Sequence, residues 1–344
     1  MKSLILKSPG QLELSEREIP GISSSEVLLK VKAAAICHTD FVVMNGQHTW
    51  ATYPCILGHE FSGIVEEAGG SVANVKKGDR VTAISYIYCG YCSACRKGMH
   101  NACTSVRGIP FHMEGAFQEM MAVPSLMLYK FSDRLSFEEA SITECAANGY
   151  SAVDRACIEQ GDKVVIIGPG PVGLFALQFA ALKQPEALIM LGTRQERLKM
   201  ASSLGATHVV NVREEDPYKK VMDITNGYGA DAVIFCGGGP DAWQLAESML
   251  ASFGRVIMEA LPDRADEKWP VTVFKFTEKS IGFLGVSGYN GSQFEKALSL
   301  MENGKVSVSP LITHTFPLKE YKQAFETSEK RISGAIKVVF NSFQ

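Results

Sequence analysis

The chain has 344 residues, 46% of them hydrophobic, which exceeds one typical domain of about 150 residues and supplies apolar material for two cores. A charged fraction of 21% and a formal net charge of −3 leave no basic field to draw a nucleic acid or an anionic membrane. No run reaches the roughly 18 to 20 apolar residues of a membrane span, and MKSLILKSPGQLEL meets Pro9-Gly10 before a signal-peptide core forms, so a soluble cytoplasmic protein is expected.

Short β-type runs punctuated by Gly and Pro fill residues 1–148: EVLLKVKAAAI, FSGIVEEAGGSV, KKGDRVTAISYI and GAFQEMMAVP, the pattern of a β-rich domain. Inside it, Cys37-His38-Thr39-Asp40 and Gly58-His59-Glu60 place a thiol, an imidazole and a carboxylate within one stretch. Those are three ligand types that zinc accepts, with a fourth position left for water or substrate. Taken alone, each of these side chains is as readily a packed residue as a ligand. Further on, Cys89, Cys92, Cys95 and Cys103 form C-x2-C-x2-C-x7-C. Four thiolates fill a tetrahedral shell and leave no open position, which describes a zinc ion that staples a loop; an iron–sulfur centre is the formal alternative.

From about Tyr150 the rhythm changes to apolar strands alternating with helical segments. KVVIIG, ALIMLG, THVVNV, DAVIFC, RVIMEA and SIGFLGV give six strands, a full doubly wound α/β dinucleotide fold over residues 149–288. The first strand runs into Gly168-Pro169-Gly170-Pro171-Val172-Gly173, a G-x-G-x-x-G that opens a helix. Its glycines serve the tight turn, the approach of backbone to pyrophosphate and helix–strand packing. An NAD enzyme usually ends its second strand with an acid. Here Gly192, Thr193 and Arg194 stand there instead, room plus a hydroxyl plus a guanidinium for a 2′-phosphate, which predicts NADP(H) over NAD(H). Residues 289–344 hold two helical segments, SQFEKALSLMENG and LKEYKQAFETSEK, each followed or preceded by a β-prone run, too little for a separate core and so expected to return to the first domain.

Cys37 to Asp40, Gly58 to Glu60, the four-cysteine lobe and the glycine motif together resemble the zinc-dependent medium-chain dehydrogenase/reductase family, in its sorbitol, polyol-phosphate and threonine dehydrogenase branch, over nearly the whole chain. The resemblance implies a GroES-like catalytic domain (1–148 and 289–344) with a structural zinc lobe at about 89–103, joined to a Rossmann domain, the site lying in the cleft between them. It implies two zinc ions per chain. Cys37 and His59 would hold the catalytic one, with Glu60, Glu144 or both completing the shell, although Cys145 beside Glu144 stands where polyol enzymes carry Pro. Thr39 would hand off the substrate proton, His38 would touch the cofactor, and Asp40 would accept the second imidazole N–H of His59. Where many relatives continue the proton relay with His, this chain has Val42, so the relay ends elsewhere, His48 being one option.

Gly288 before Tyr289, in place of Arg, argues against sorbitol itself. Tyr53, Phe111, His112, Glu144 and Tyr289 are candidate pocket residues, and Arg107 a candidate for a substrate phosphate or carboxylate. The expected activity is hydride transfer between NADP(H) and a polyol, polyol phosphate or related sugar derivative. Threonine-type amino-alcohol oxidation and a catalytically silent NADP-binding protein are the alternatives. A small hydroxylated substrate and assembly into a homodimer or homotetramer are the expected partners, the latter because the apolar SIGFLGV run would lie at a sheet edge.

Overall fold

In a computed structural model, which describes residues 1–260 and 266–343, the run EVLLKVKAAA becomes the strand Glu26–Ala35. Val27, Leu29, Val31 and Ala33 to Ala35 are buried, the period-two burial expected of a strand with one face on a core. This strand is the centre of a seven-stranded sheet. Glu60–Ala68 pairs along one edge, setting Glu60 opposite Ala35. Met120–Pro124 and Lys337–Ser342 share the other, with Val339 also opposite Ala35. The last strand of the chain thus completes the sheet that the first hundred residues begin. Phe117 and Phe340 pack edge-to-face at 5.1 Å on this core, and both are fully buried.

Compact units comprise Met1–Glu144 with Asn290–Gln344, and Cys145–Tyr289. The first boundary falls inside the helix Thr143–Ala156, a few residues before position 148, so Cys145 groups with the second unit while Glu144 stays with the first.

The second unit is an all-parallel sheet in the order His208–Asn211, Ala187–Gly192, Lys163–Ile167, Ala230–Phe235, Leu250–Met258, Gly282–Gly285. Successive strands are added on one side of Lys163–Ile167 and then on the other, which makes it the switch point of a doubly wound fold. All six strands expected from the sequence are present, with shifted ends. The fifth begins at Leu250, not Arg255, because Leu250 pairs with Ala230 before a register shift. The sixth begins only at Gly282, because Ser280 takes a left-handed turn (φ 52°) that ends the helix Val273–Lys279. Among the described residues no helix is long and apolar enough to cross a membrane.

Candidate active site and metal centres

Two loops carry the first cluster. Cys37 caps the short helix His38–Met44, and His59 and Glu60 sit where the strand Glu60–Ala68 begins. Gly58 precedes them at φ 92°, with its would-be Cβ 2.6 Å from the Phe117 ring, so only glycine fits there. One carboxylate ties the loops together: Asp40 accepts the Cys37 N–H at 2.9 Å on Oδ2 and the Gly58 N–H at 3.1 Å on Oδ1. This differs from the expected bond to His59, whose Nδ1 lies 3.9 Å from Asp40 Oδ1, beyond hydrogen-bond length. Asp40 spends its oxygens on backbone and acts on the imidazole through charge alone.

Cys37, His59 and Glu60 bring one ligand atom each within 4.8 Å of one another. His59 and Glu60 are buried, and among the described residues His59 Nδ1 and Glu60 Oε2 have no hydrogen-bond partner. Buried polar atoms left without partners are costly unless something completes them. Burial would push the imidazole down, but the Cys37 sulfur, Asp40 and Glu144 outweigh it and raise His59 well above its usual value. The pocket favours positive charge, and its sulfur, nitrogen and oxygen donors are the set zinc accepts. Residues and group fit.

Glu144 stands outside that trio. Ser85 Oγ donates to its Oε1 at 3.5 Å, and its charge still reaches His59. Thr39 Oγ1 lies 3.9 Å from Cys37 Sγ, while His38 is exposed. Val42 is half-buried. His48 accepts the Trp50 N–H on Nδ1 at 3.2 Å, and its pKa is lowered by burial and by the charge of His59. Its ring stacks on Phe111 at 4.0 Å, and Trp50 meets Phe111 and His112 edge-on at 6.0 and 5.9 Å. Arg107 donates to the His112 carbonyl at 3.3 Å from the rim of this aromatic group. Tyr53 is occupied differently, its hydroxyl donating to the Val43 carbonyl at 2.7 Å, and Tyr289 is only 1% exposed in the second unit.

In the lobe, Cys89, Cys92, Cys95 and Cys103 gather their sulfurs, and none of the nine cysteines is joined in a disulfide. Backbone N–H groups point at the sulfurs: Cys92 to Cys89, Cys95 to Cys92, and Cys89 and Ser105 to Cys103, at 3.3–3.4 Å. Such donors favour thiolate. Those from Cys95 and Thr104 take Cys92 down to about 5, whereas burial pushes Cys95 up to about 12. Four sulfurs with no open position suit a structural zinc.

In the second unit, Gly168 needs its left-handed φ of 103°, and a Cβ on Gly173 would lie 2.0 Å from the Gly168 carbonyl oxygen. Gly170 faces open space and caps the helix Pro171–Ala181 without a side-chain bond to its N–H groups, a cradle suited to pyrophosphate. Pro171 and Val172 form the first turn of that helix. Gly192 ends its strand for a packing reason the sequence did not reveal: a Cβ there would meet the Pro169 ring at 2.5 Å. Thr193 is exposed, and Arg194 occupies the N-cap of the helix Gln195–Ser203 without capping it.

One side chain that motif reading overlooked completes the first cluster. Lys337 donates from Nζ to Glu60 Oε1 at 2.5 Å, both side chains being almost wholly buried. The available signal was a lysine inside the apolar run AIKVVF.

Comparison with known proteins agrees with this architecture. Sequence models of the alcohol dehydrogenase GroES-like domain and of the zinc-binding dehydrogenase match residues 23–133 and 171–303. L-threonine 3-dehydrogenase of Bacillus licheniformis is 34% identical across 98% of this chain and 99% of that protein. D-arabitol-phosphate dehydrogenase of Enterococcus avium is 32% identical across 95% and 94%. A solved structure described as a zinc-binding dehydrogenase from Sinorhizobium meliloti, bound to NADP, aligns at a TM-score of 0.93 and 27% identity, covering 99% of this chain and 98% of that one. The chain belongs to the zinc-dependent alcohol dehydrogenase family of medium-chain dehydrogenases, a GroES-like unit and a Rossmann unit in one polypeptide. It is an oxidoreductase of that family.

Proposed function

We propose that this protein moves a hydride between NADP(H) and the secondary alcohol or ketone of a polyol, polyol phosphate or related sugar derivative, using two zinc ions per chain. Cys37, His59 and Glu60 hold the catalytic ion, and Glu144 is a fourth donor within electrostatic reach. Cys89, Cys92, Cys95 and Cys103 hold the structural one. When bound, zinc supplies a Lewis acid for the substrate oxygen and the nicotinamide supplies the hydride acceptor. The chain does the rest. Thr39 Oγ1 takes the hydroxyl proton, Gly168, Gly170, Pro171, Val172 and Gly173 seat the pyrophosphate, and Thr193 and Arg194 meet the 2′-phosphate beside Gly192.

The observation that carries this reading is the set of three unlike ligand atoms within 4.8 Å of one another, two of them on buried side chains with polar atoms left unpartnered. The substrate class draws support from the His48, Trp50, Phe111 and His112 rings on the same unit, since aromatic faces suit the C–H faces of sugars, and from Arg107 at their rim, which suits a phosphate. A second reading, threonine oxidation, is favoured by the 34% identity to the Bacillus licheniformis enzyme; there Arg107 would meet the carboxylate. Assembly into a homodimer or homotetramer is supported by Gly282–Gly285, a strand paired on one side only among the described residues, and is checked by sedimentation velocity across concentrations.

An activity screen separates these readings. Polyols, polyol phosphates, sugar acids, threonine and simple secondary alcohols are each offered with NADP and with NAD to the zinc-replete protein, following nicotinamide absorbance. Turnover of a polyol or its phosphate with NADP is expected. Turnover of threonine alone replaces the substrate assignment, and binding of NADPH without turnover of any compound returns the silent-binder alternative.

A further inference from the structure

We infer that Lys337 is a positioning residue for the metal site, holding one oxygen of Glu60 as its counter-ion while leaving the other for zinc. The inference rests on the assignment of Cys37, His59 and Glu60 to the catalytic metal. The geometry is a product of strand register. Ala35 has Glu60 opposite it on one neighbouring strand and Val339 on the other, so the start of the C-terminal strand lies two positions from the glutamate across one backbone. Lys337 reaches across there, donating to Glu60 Oε1 at 2.5 Å and to the Ile36 carbonyl at 3.4 Å. Glu60 is 1% exposed and Lys337 3%.

A carboxylate this deep must be paired. The pairing is one-sided, because Oε1 takes the ammonium while Oε2 has no hydrogen-bond partner among the described residues. Zinc and Lys337 therefore draw on the same negative charge. Each weakens the hold of the other on Glu60, and the ammonium keeps the carboxylate from closing around the ion with both oxygens, which preserves the open position that substrate needs. Coupling of this kind is reciprocal: a group that competes with zinc for Glu60 stabilises the zinc-free chain more than the loaded one.

The test compares wild type with Lys337→Met, which keeps length and loses charge, and Lys337→Arg, which keeps charge. The probes are Zn2+ with a chromophoric chelator and Co2+ as a spectroscopic substitute. Lys337→Met is expected to release its catalytic-site zinc about tenfold more slowly, the scale of coupling within one ion-pair network. It should lose more melting temperature after chelation than when loaded, and its cobalt bands should shift as the second carboxylate oxygen joins the ion. Lys337→Arg should resemble wild type in all three. In a Glu60→Gln background, Lys337→Met should change zinc release no further, since the effect runs through that carboxylate.

Equal melting losses with and without metal, with unchanged release and spectrum, would make Lys337 a fold residue only and overturn the inference; faster zinc release would overturn it too. If Lys337→Met fails to fold, Lys337→Gln takes its place, read by the same three measurements. The underlying metal assignment is judged separately: Cys37→Ser should reduce bound zinc from two equivalents to one, and failure there removes the site itself, whatever Lys337 does.

Discussion

Asp40 shows how much one carboxylate can organise. Its two oxygens hold the backbone of Cys37 and of Gly58, so the thiol and the imidazole arrive together because a third residue clamps their loops. Replacing it with Asn keeps the shape but turns an NH2 toward one of the two backbone donors. Asp40→Asn should lower the unfolding free energy by about 1–3 kcal/mol, the cost of a buried donor left unmet, read from urea denaturation at constant m-value. At the other end of the chemistry, Arg194 stands at the N-cap of the helix Gln195–Ser203 without a side-chain capping bond. Arg194→Ala is expected to weaken NADPH binding by about 1.5–3 kcal/mol and leave NADH nearly unchanged, by fluorescence titration; an equal loss for both cofactors would refute the 2′-phosphate assignment.

Among the elements, the cysteine lobe has the least secondary structure to hold it. Between Cys89 and Cys103 lie only the four-residue helix Ser93–Arg96 and one 3-10 turn, His100–Ala102, neither of which buries a core of its own. Cys95→Ser should therefore remove one zinc equivalent and open residues 89–103 to limited proteolysis, while the Rossmann sheet keeps its circular-dichroism signature; an intact lobe in that variant would show that the metal is not its staple.

Elements of this kind also divide what can be read from sequence from what cannot. The six parallel strands were legible as apolar runs bounded by turn residues, the central four of them largely buried, and Gly168, Gly170 and Gly173 stood out by their spacing. The true start at Leu250 was hidden, since it depends on pairing with Ala230 across a register shift. Cys37, His59 and the four-cysteine lobe stood out as motifs. Lys337 did not, because its partner lies 277 residues away. Nor could any local pattern reveal that Gly192 is demanded by the Pro169 ring.

At the scale of the whole molecule, two units with separate cores should respond to their ligands separately. Hydrogen exchange resolved by peptide offers the check. NADPH should slow exchange most in residues 168–181 and 192–198, where the glycine cradle and the Arg194 helix lie, and chelation of zinc should quicken it most in residues 37–60 and 89–103. Protection by NADPH concentrated in the lobe instead would mean that its seat is not the Gly168–Gly173 loop.

The first unit is made from both ends of the chain, and this sets an order of events at the ribosome. The Rossmann unit is one continuous stretch, complete as soon as Tyr289 has emerged, whereas the sheet that carries Glu60 waits for Lys337–Ser342 to close it. At about 5–20 residues per second, the 277 residues separating Glu60 from Lys337 take roughly 15–55 s to synthesise. Throughout that interval Glu60 exists without its counter-ion and the edge of Glu26–Ala35 beside Ala35 without its partner strand. The nascent catalytic half is thus the stretch most exposed to chaperones and to premature capture of metal, while the nucleotide half can already be folded.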